Sequence, residues 1–301
     1  MPEEKKYKTE WSFSFEKLGS DIGDFVKSLG IGDEESIKQG EFSAPIDGAE
    51  SARVRVDFSV GKCVVHGLTN LDNLIEADLT YVGDINFVVS GEAEKNVTLS
   101  QKAEAADWVR NVVGWIGSRG ELRWDVGLAT EVPMQLEVHG GVGEGKFDLR
   151  ELQLTDGSIH AGAGEIDLIL PARSEHYAMR VNCGVGETEI VVPAGANVDL
   201  KVHGGAGAVE LEINEGAQVT AQIDGGVGEC KIELPAGAAA RFEAESGVGD
   251  LKFPANFTRV SGSDEFISKK GVWETPGYAE AATKIDVRYK GGVGQLVVKV
   301  G

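Results

Sequence analysis

Alternation of apolar and polar residues predicts strands along most of the chain. In one representative stretch, apolar residues occupy every second position on either side of Gly204-Gly205-Ala206-Gly207: Val198, Leu200, Val202, Val209, Leu211 and Ile213. Period-two alternation is typical of a strand with one buried face. The glycines predict a tight corner, because glycine adopts positive φ and allows close backbone approach. Each unit is therefore predicted to be two strands joined by a glycine corner.

The corner recurs along the chain as Gly-Val-Gly-Glu or a close variant. It begins at Gly141, Gly162, Gly184, Gly205, Gly226, Gly247 and, after a double interval, Gly292. A fixed repeat of about 21 residues is typical of a solenoid, in which each repeat is one coil. The pattern predicts an all-β, right-handed parallel β-solenoid with two strands per coil and a core of stacked inward columns.

The repeat also predicts how the chain divides. We expect a tail at 1–40 and one solenoid domain at 41–301, with degenerate coils at 41–131 and regular coils at 132–253. The polar stretch 254–284 is interpreted as a surface flap, and 285–301 as the last coil. Because Gly301 follows that coil directly, its terminal rung lacks a cap. An uncapped rung favours pairing with another chain, so we predict an end-to-end homo-oligomer through Leu296, Val298 and Val300.

Two segments carry apolar residues at helical spacing. One predicts an amphipathic helix at 12–29 in the tail, and the other a short inserted helix at 104–117. Either helix could dock on the solenoid, on a protein partner or at a membrane surface, although the first has an acidic polar face. The candidate contact residues are Trp11, Phe13, Phe15, Leu18, Ile22, Phe25, Trp108, Val112 and Trp115.

The charge and composition exclude several functions. The net charge of −20 argues against nucleic-acid binding and against strong attraction to anionic lipids. No run of about 20 apolar residues predicts a membrane-spanning helix, and no signal peptide follows Met1. Cys63, Cys183 and Cys230 fall on inward positions and are interpreted as buried core residues in a reducing compartment. We therefore expect a cytoplasmic protein that is peripheral to the membrane or partner-bound.

The sequence predicts no catalytic, cofactor or metal site. Stacking the repeats gives an outward acidic column (Glu144, Glu165, Glu187, Ala208, Glu229 and Asp250) and a histidine-containing column (His139, His160, Asn182, His203, Asp224 and Glu245). The carboxylates are spread one per coil, whereas carbohydrate cleavage needs carboxylates that converge. The adjacent His139 and His160 lack a fixed third ligand. We therefore expect a protein-binding scaffold; the alternative is a carbohydrate-binding or carbohydrate-active parallel β-helix.

Several motifs resemble the bacterial toast-rack family, which includes LiaF-like cell-wall-active antibiotic response proteins and related membrane-stress proteins. These motifs are the repeated corners, Glu41-Phe42-Ser43-Ala44-Pro45, the segment 77–83 (ADLTYVG) and the segment 271–278 (GVWETPGY). The resemblance covers roughly 41–301. It implies a non-enzymatic sensing or interaction module of the envelope-stress type. Unlike many relatives, the sequence is predicted to have no membrane-spanning helix.

Overall fold

The computed structural model describes residues 37–69, 72–102, 122–264 and 269–301. These residues form strands and turns, with no helix among them; the helices predicted at 12–29 and 104–117 lie outside the described residues. The strands are β1 (Lys38–Pro45), β2 (Ser51–Gly67), β3 (Asn73–Tyr81), β4 (Asp84–Ser90), β5 (Glu94–Lys102), β6 (Arg123–Leu128), β7 (Met134–Asp148), β8 (Leu154–Ile169), β9 (Tyr177–Val192), β10 (Asn197–Ile213), β11 (Gln218–Leu234), β12 (Ala240–Lys252), β13 (Thr258–Asp264), β14 (Lys269–Glu274) and β15 (Ile285–Val300).

Eight long strands stack in parallel and form most of the sheet. Their order is β2-β7-β8-β9-β10-β11-β15-β12. Each continues through its glycine corner, so the two predicted strands of a coil join as the first and second arms of one bent strand. The all-β, mostly parallel repeat fold predicted from the 21-residue period is confirmed.

Glycine is required at the corner because the coils stack there backbone to backbone. Gly186 has a φ of 143°, a region that residues with a side chain rarely adopt. A Cβ built on Gly186 would lie 1.8 Å from the carbonyl oxygen of Gly164 in the preceding coil. The corner therefore forms only where every coil has a glycine at this position.

The core lies between the inward faces of the two arms. Val181, Val202 and Ile223 align on the first arms, and Ile190, Leu211 and Ile232 align on the second arms. All six are at most 1% exposed. Burying an aliphatic side chain of this size contributes about 1.5–3 kcal/mol, so repetition of these columns stabilises each coil on its neighbours.

At the N-terminal end, one coil is split by the segment 103–121. β5 pairs with the first arm of β2, and β6 pairs with its second arm. The Gln101 side chain makes two hydrogen bonds to backbone groups at the corner of this coil. Its Oε1 accepts from the Ser59 N–H at 3.1 Å, and its Nε2 donates to the Val82 carbonyl at 2.8 Å. A side-chain amide therefore supplies a donor and an acceptor at this corner.

The expectation that all the degenerate N-terminal coils are parallel is wrong: β5 and β6 pair in parallel with β2, but β1, β3 and β4 do not. β3 and β4 pair antiparallel with β6 and β5, and β1 pairs antiparallel with β3. Only residues 91–93 connect β4 to β5. Such a link is long enough for an antiparallel connection, whereas a parallel crossover needs a dozen or more residues.

The C-terminal strand is not the terminal rung. β15 lies between β11 and β12 and pairs in parallel with both. The premise of an exposed rung at 296–300 is therefore wrong. The sheet continues instead through the antiparallel strands β14 and β13.

The segment 254–284 covers the end of the core, so the interpretation as a flap is also wrong. Trp273 of β14 stacks on Phe253, with ring centroids 4.4 Å apart and planes 14° apart. Phe242 and Phe257 contact Phe253 at 5.4 and 5.5 Å. These rings close the apolar end that the last parallel coil would otherwise expose.

Candidate interaction surface

A row of small apolar side chains, exposed except for the half-buried Val60 and Ala163, lies along the glycine corners. We call this row the corner ridge; its members pair in register and are Val60, Val142, Ala163, Val185, Ala206, Val227, Val293 and Val248. Val185 is 49% exposed and Val227 is 57% exposed. Eight rungs at a strand spacing of about 4.8 Å give a ridge of about 34 Å.

Glycines isolate the ridge on both sides. Val185 lies between Gly184 and Gly186, and Val227 lies between Gly226 and Gly228. The flanking positions therefore have no side chains to cover the valines. The ridge stands out as an apolar line on a chain whose net charge is −20.

The acidic column runs beside the ridge on the second arms. The predicted members are in register, except that Gln295 of β15 lies between Glu229 and Asp250. Glu144 forms an ion pair with Lys62 at 3.4 Å, and Asp250 with Lys269 at 2.5 Å. Glu165 and Glu187 have no ion-pair partner within 4.0 Å among the described residues; Lys146 lies near Glu165 but pairs with Asp167 at 3.1 Å. The middle of the column therefore keeps an excess of negative charge.

The histidine-containing column runs on the other side of the ridge, on the first arms. The His139 and His160 rings stack at 4.7 Å with planes 12° apart. His139 Nε2 lies 2.5 Å from Glu137 Oε1, and this contact is the largest cause lowering the pKa of Glu137. Burial, and then the neighbouring His139, lower the pKa of His160. The Asn182 amide donates to His160 Nδ1 at 3.1 Å, an arrangement that fits a neutral His160.

A polar groove of about 230 Å³ opens on the first arms of β2, β5, β7 and β8. Arg53 and Arg55 line it together with Asn96, Thr98 and Gln135. Both cations are already paired: Arg53 with Glu94 at 3.0 Å, and Arg55 with Asp57 at 2.9 Å. The groove therefore presents hydrogen-bonding groups with little net positive charge.

The three cysteines are free and buried, as predicted. Burial raises the pKa of Cys63 and raises the pKa of Cys230 to about 12. Both remain thiols near neutral pH, and a thiol is a poor nucleophile and a poor metal ligand. Within the described part of the chain, no group of three or more His, Cys, Asp or Glu residues is placed to hold a metal ion.

The structure describes the residues predicted for self-association but not those predicted for membrane or partner contact. Leu296 and Val298 are buried in β15, and Val300 is partly buried against the core. The apolar residues predicted for membrane or partner contact lie outside the described residues: Trp11, Phe13, Phe15, Leu18, Ile22, Phe25, Trp108, Val112 and Trp115. None of the described residues belongs to a helix able to cross a bilayer.

The corner ridge was missed from the sequence because alternation fails at the corner. Counting inward and outward positions from Val202 places Ala206 inside and Val209 outside. In the structure, Gly205 drops out of the pairing register and the phase shifts, so that Val209 is buried and Ala206 is exposed. The available signal was an apolar residue between two glycines in nearly every repeat.

The bent parallel strands, the glycine corners and the exposed ridge define a solenoid-type repeat protein. The family described as the N-terminal domain of toast_rack, DUF2154, matches residues 31–191, which is more than half of the chain. The chain belongs to this family. The resemblance stated from the sequence motifs is thereby confirmed.

Two crystal structures are similar to the chain. One is a "putative cell adhesion protein" from Clostridium sporogenes, with a TM-score of 0.44 and 20% identity over 88% of this chain and 100% of that one. The other is a "putative adhesin" from Bacteroides fragilis, with a TM-score of 0.31 and 10% identity over 90% of this chain and 100% of that one. Comparison with the curated proteins finds no match to the sequence.

Proposed function

We propose that the protein is a non-catalytic interaction or scaffold protein of the bacterial envelope-stress type that binds a protein partner along the corner ridge. The ridge is the observation on which the proposal depends. Contiguous exposed apolar surface rimmed by polar residues is typical of interaction sites. Membership of the toast-rack family supports the envelope-stress part of the proposal.

The ridge is suited to binding because it is rigid before any partner arrives. Each of its inner rungs is hydrogen-bonded in register to a coil on either side. Little backbone entropy is then lost on association, which lowers the cost of binding. The core does not require valine at these positions, since the side chains point to solvent.

Site-specific photo-crosslinking in bacterial cells tests this proposal. A photoreactive residue at Val185 or Val227 should give discrete protein adducts. The same residue at Thr220, which is exposed on the first arm of β11, should give none. Equal adduct patterns at the ridge and at Thr220, or no adducts at either ridge position, would contradict the proposal.

A cytoplasmic location at the membrane periphery is the second part of the proposal. It is supported by the apolar residues Phe15, Leu18, Ile22 and Phe25 in the tail, which recur at the spacing of an amphipathic helix. Co-sedimentation with liposomes tests it. The wild-type chain should sediment, and the Phe15→Glu/Phe25→Glu variant should stay in solution. If neither form sediments, membrane contact is excluded and protein binding remains.

Carbohydrate binding is the alternative, and the polar groove favours it. Asn96, Thr98 and Gln135 supply donors and acceptors suited to sugar hydroxyl groups. Calorimetric titration with acidic and neutral glycans should then show binding that Asn96→Ala/Gln135→Ala weakens at least tenfold. A cleavage screen on the same glycans separates binding from activity. If no class of glycan gives a measurable heat of binding, carbohydrate binding is excluded.

A further inference from the structure

We infer that the partner of the corner ridge is an amphipathic α-helix whose apolar stripe is flanked on one side by lysine or arginine. This inference rests on the function proposed above and specifies the chemistry of the partner. It depends on three features of the ridge: its repeat distance, its alternation of large and small residues, and the charge beside it.

The repeat distance of the ridge favours a helix over a strand. Ridge side chains recur about every 4.8 Å, and the turns of an α-helix recur every 5.4 Å. Side chains on one face of a β-strand recur about every 6.8 Å and fall out of step after two rungs. A helix laid along the ridge drifts by only about 0.6 Å per turn, so over two turns it stays within about 1.2 Å of the ridge side chains.

Large and small side chains alternate along the middle of the ridge. From β7 to β11 the order is Val142, Ala163, Val185, Ala206 and Val227. The two alanines leave notches about 9.6 Å apart, which is two strand spacings. Residues i and i+7 of a helix are about 10.5 Å apart. Two large apolar residues seven positions apart can therefore enter both notches.

The charge beside the ridge selects a basic flank. Glu165 and Glu187 lie two residues after Ala163 and Val185, and neither has an ion-pair partner among the described residues. The opposite flank carries His139, His160 and Asn182 and contributes no similar excess of charge. A lysine or arginine along one side of the helix would therefore meet two carboxylates that have no ion-pair partner among the described residues.

Other occupants fit this charge less well. Anionic lipid is repelled by the acidic column. The segment 12–29 carries Glu16, Asp21 and Asp24 against Lys17 and Lys27, so it is net acidic rather than basic. A second copy of the chain presents the same acidic column. The basic helix is thus the occupant that complements both the apolar ridge and its flank.

Peptide binding measured by fluorescence anisotropy tests the inference on the full chain. The probe is a 22-residue (about 33 Å) helix-forming peptide with leucines on one stripe and lysines along one flank. Its counterpart has glutamate in place of every lysine. The lysine peptide should bind at least tenfold more tightly than its counterpart, with an affinity that falls between 50 and 300 mM NaCl.

Three variants locate the binding. Ala163→Leu/Ala206→Leu fills the notches and should lower the binding affinity for the lysine peptide at least tenfold. Glu165→Gln/Glu187→Gln should remove most of the salt dependence. The control Glu212→Gln/Glu215→Gln removes the same charge at positions away from the corner. It should leave both the affinity for the lysine peptide and its salt dependence unchanged. Circular dichroism on each variant verifies that the fold is retained.

The outcomes separate this inference from the proposed function. Ridge cross-links together with equal affinity for the lysine and glutamate peptides would overturn the basic helix and leave the proposed function standing. Lysine-peptide binding that the notch-filling variant does not weaken would also overturn it. Binding to phosphatidylcholine–phosphatidylglycerol vesicles that the notch-filling variant strengthens, without peptide binding, would assign the ridge to a membrane, because added leucine side chains partition into lipid. Absence of cross-links and of peptide binding would overturn both.

Discussion

Gly186 illustrates how one missing side chain permits two coils to stack. Its φ of 143° and the carbonyl oxygen of Gly164, 1.8 Å from where a Cβ would lie, both exclude alanine. We expect Gly186→Ala to lower the free energy of unfolding by more than about 3 kcal/mol, because the clashing atom is backbone and cannot rotate away. Urea denaturation measures the change.

The control for this prediction is Gly225→Ala, in the same repeat motif. A Cβ on Gly225 meets only the Tyr289 hydroxyl, at 4.0 Å. It would enter a small cavity of about 30 Å³ at the corner. We expect a change within about 1 kcal/mol. Equal destabilisation by both substitutions would show that backbone stacking is not the cause.

His160 predicts a dependence of stability on pH. Because its pKa in the folded protein is lowered by burial and by His139, the unfolded chain binds more protons at mildly acidic pH. Its contribution to stability is then complete above the unfolded pKa of about 6.5 and is lost as the pH falls below that value.

The substitution His160→Asn tests this dependence. Asparagine already occupies the next rung of the column, as Asn182. The fall in melting temperature between pH 7.5 and pH 5 should be smaller in His160→Asn than in the wild type. His176→Asn, outside the column, should not reduce it. An identical fall in all three proteins would exclude His160 as the cause.

At the scale of the strand, Val298 shows the consequence of the position of β15. It is 4% exposed and aligns with Ile232 of β11. Val298→Lys should therefore unfold the protein or destabilise it by more than about 3 kcal/mol, because it buries an unpaired charge. Light scattering would report aggregation of unfolded chain rather than dissociation of an oligomer.

Val297→Glu is the matched control, since Val297 is the preceding residue, is half-buried on the outer face of β15 and lies between Lys231 and Lys252 on the neighbouring strands. It should change stability by less than about 1 kcal/mol. Thermal denaturation of both variants makes the comparison. A stable Val298→Lys variant would contradict the insertion of β15 between β11 and β12.

The coil could be predicted from the sequence, but the order of the coils could not. The alternation around Gly205 predicts arms, corner and inward columns because these depend on local periodicity. Strand order depends on which edges meet. The corner at Gly292 pairs equally well with the corner at Gly226 or at Gly247, since all have the same glycines. The repetition therefore predicts the structure of each coil, but it does not determine which coils are neighbours.

For the candidate site, the two polar columns were predictable and the ridge was not. His139 and His160 were expected to be neighbours, and their rings stack. The acidic column was expected without Gln295, which enters it only because β15 is inserted. Ala206 and its equivalents were not predicted to form a surface, because the alternation of inward and outward positions shifts by one residue at the corner.

At the scale of the whole molecule, the net charge of −20 predicts stabilisation by salt. Glu165 lies between Glu144 and Glu187 on neighbouring strands, and adjacent carboxylates at this spacing repel. Glu165→Gln should raise the free energy of unfolding by up to about 1 kcal/mol at 20 mM NaCl. The gain should shrink at 500 mM NaCl, where the charges are screened.

Glu210→Gln is the control for charge removal alone. Glu210 pairs with Lys231 at 2.9 Å, so its substitution removes an attraction together with a negative charge. It should give no gain at low salt. A gain equal to that of Glu165→Gln would mean that total charge, rather than the column, determines the effect.

The insertion of β15 has a consequence for the order in which the chain folds during synthesis. β12 leaves the ribosome before β15, and both present the same corner to the open edge of β11. Until β15 is made, β12 can dock on β11 with its glycines in register. β15 must then displace it. Premature docking is therefore a kinetic trap, and a slow refolding phase would be its expected sign.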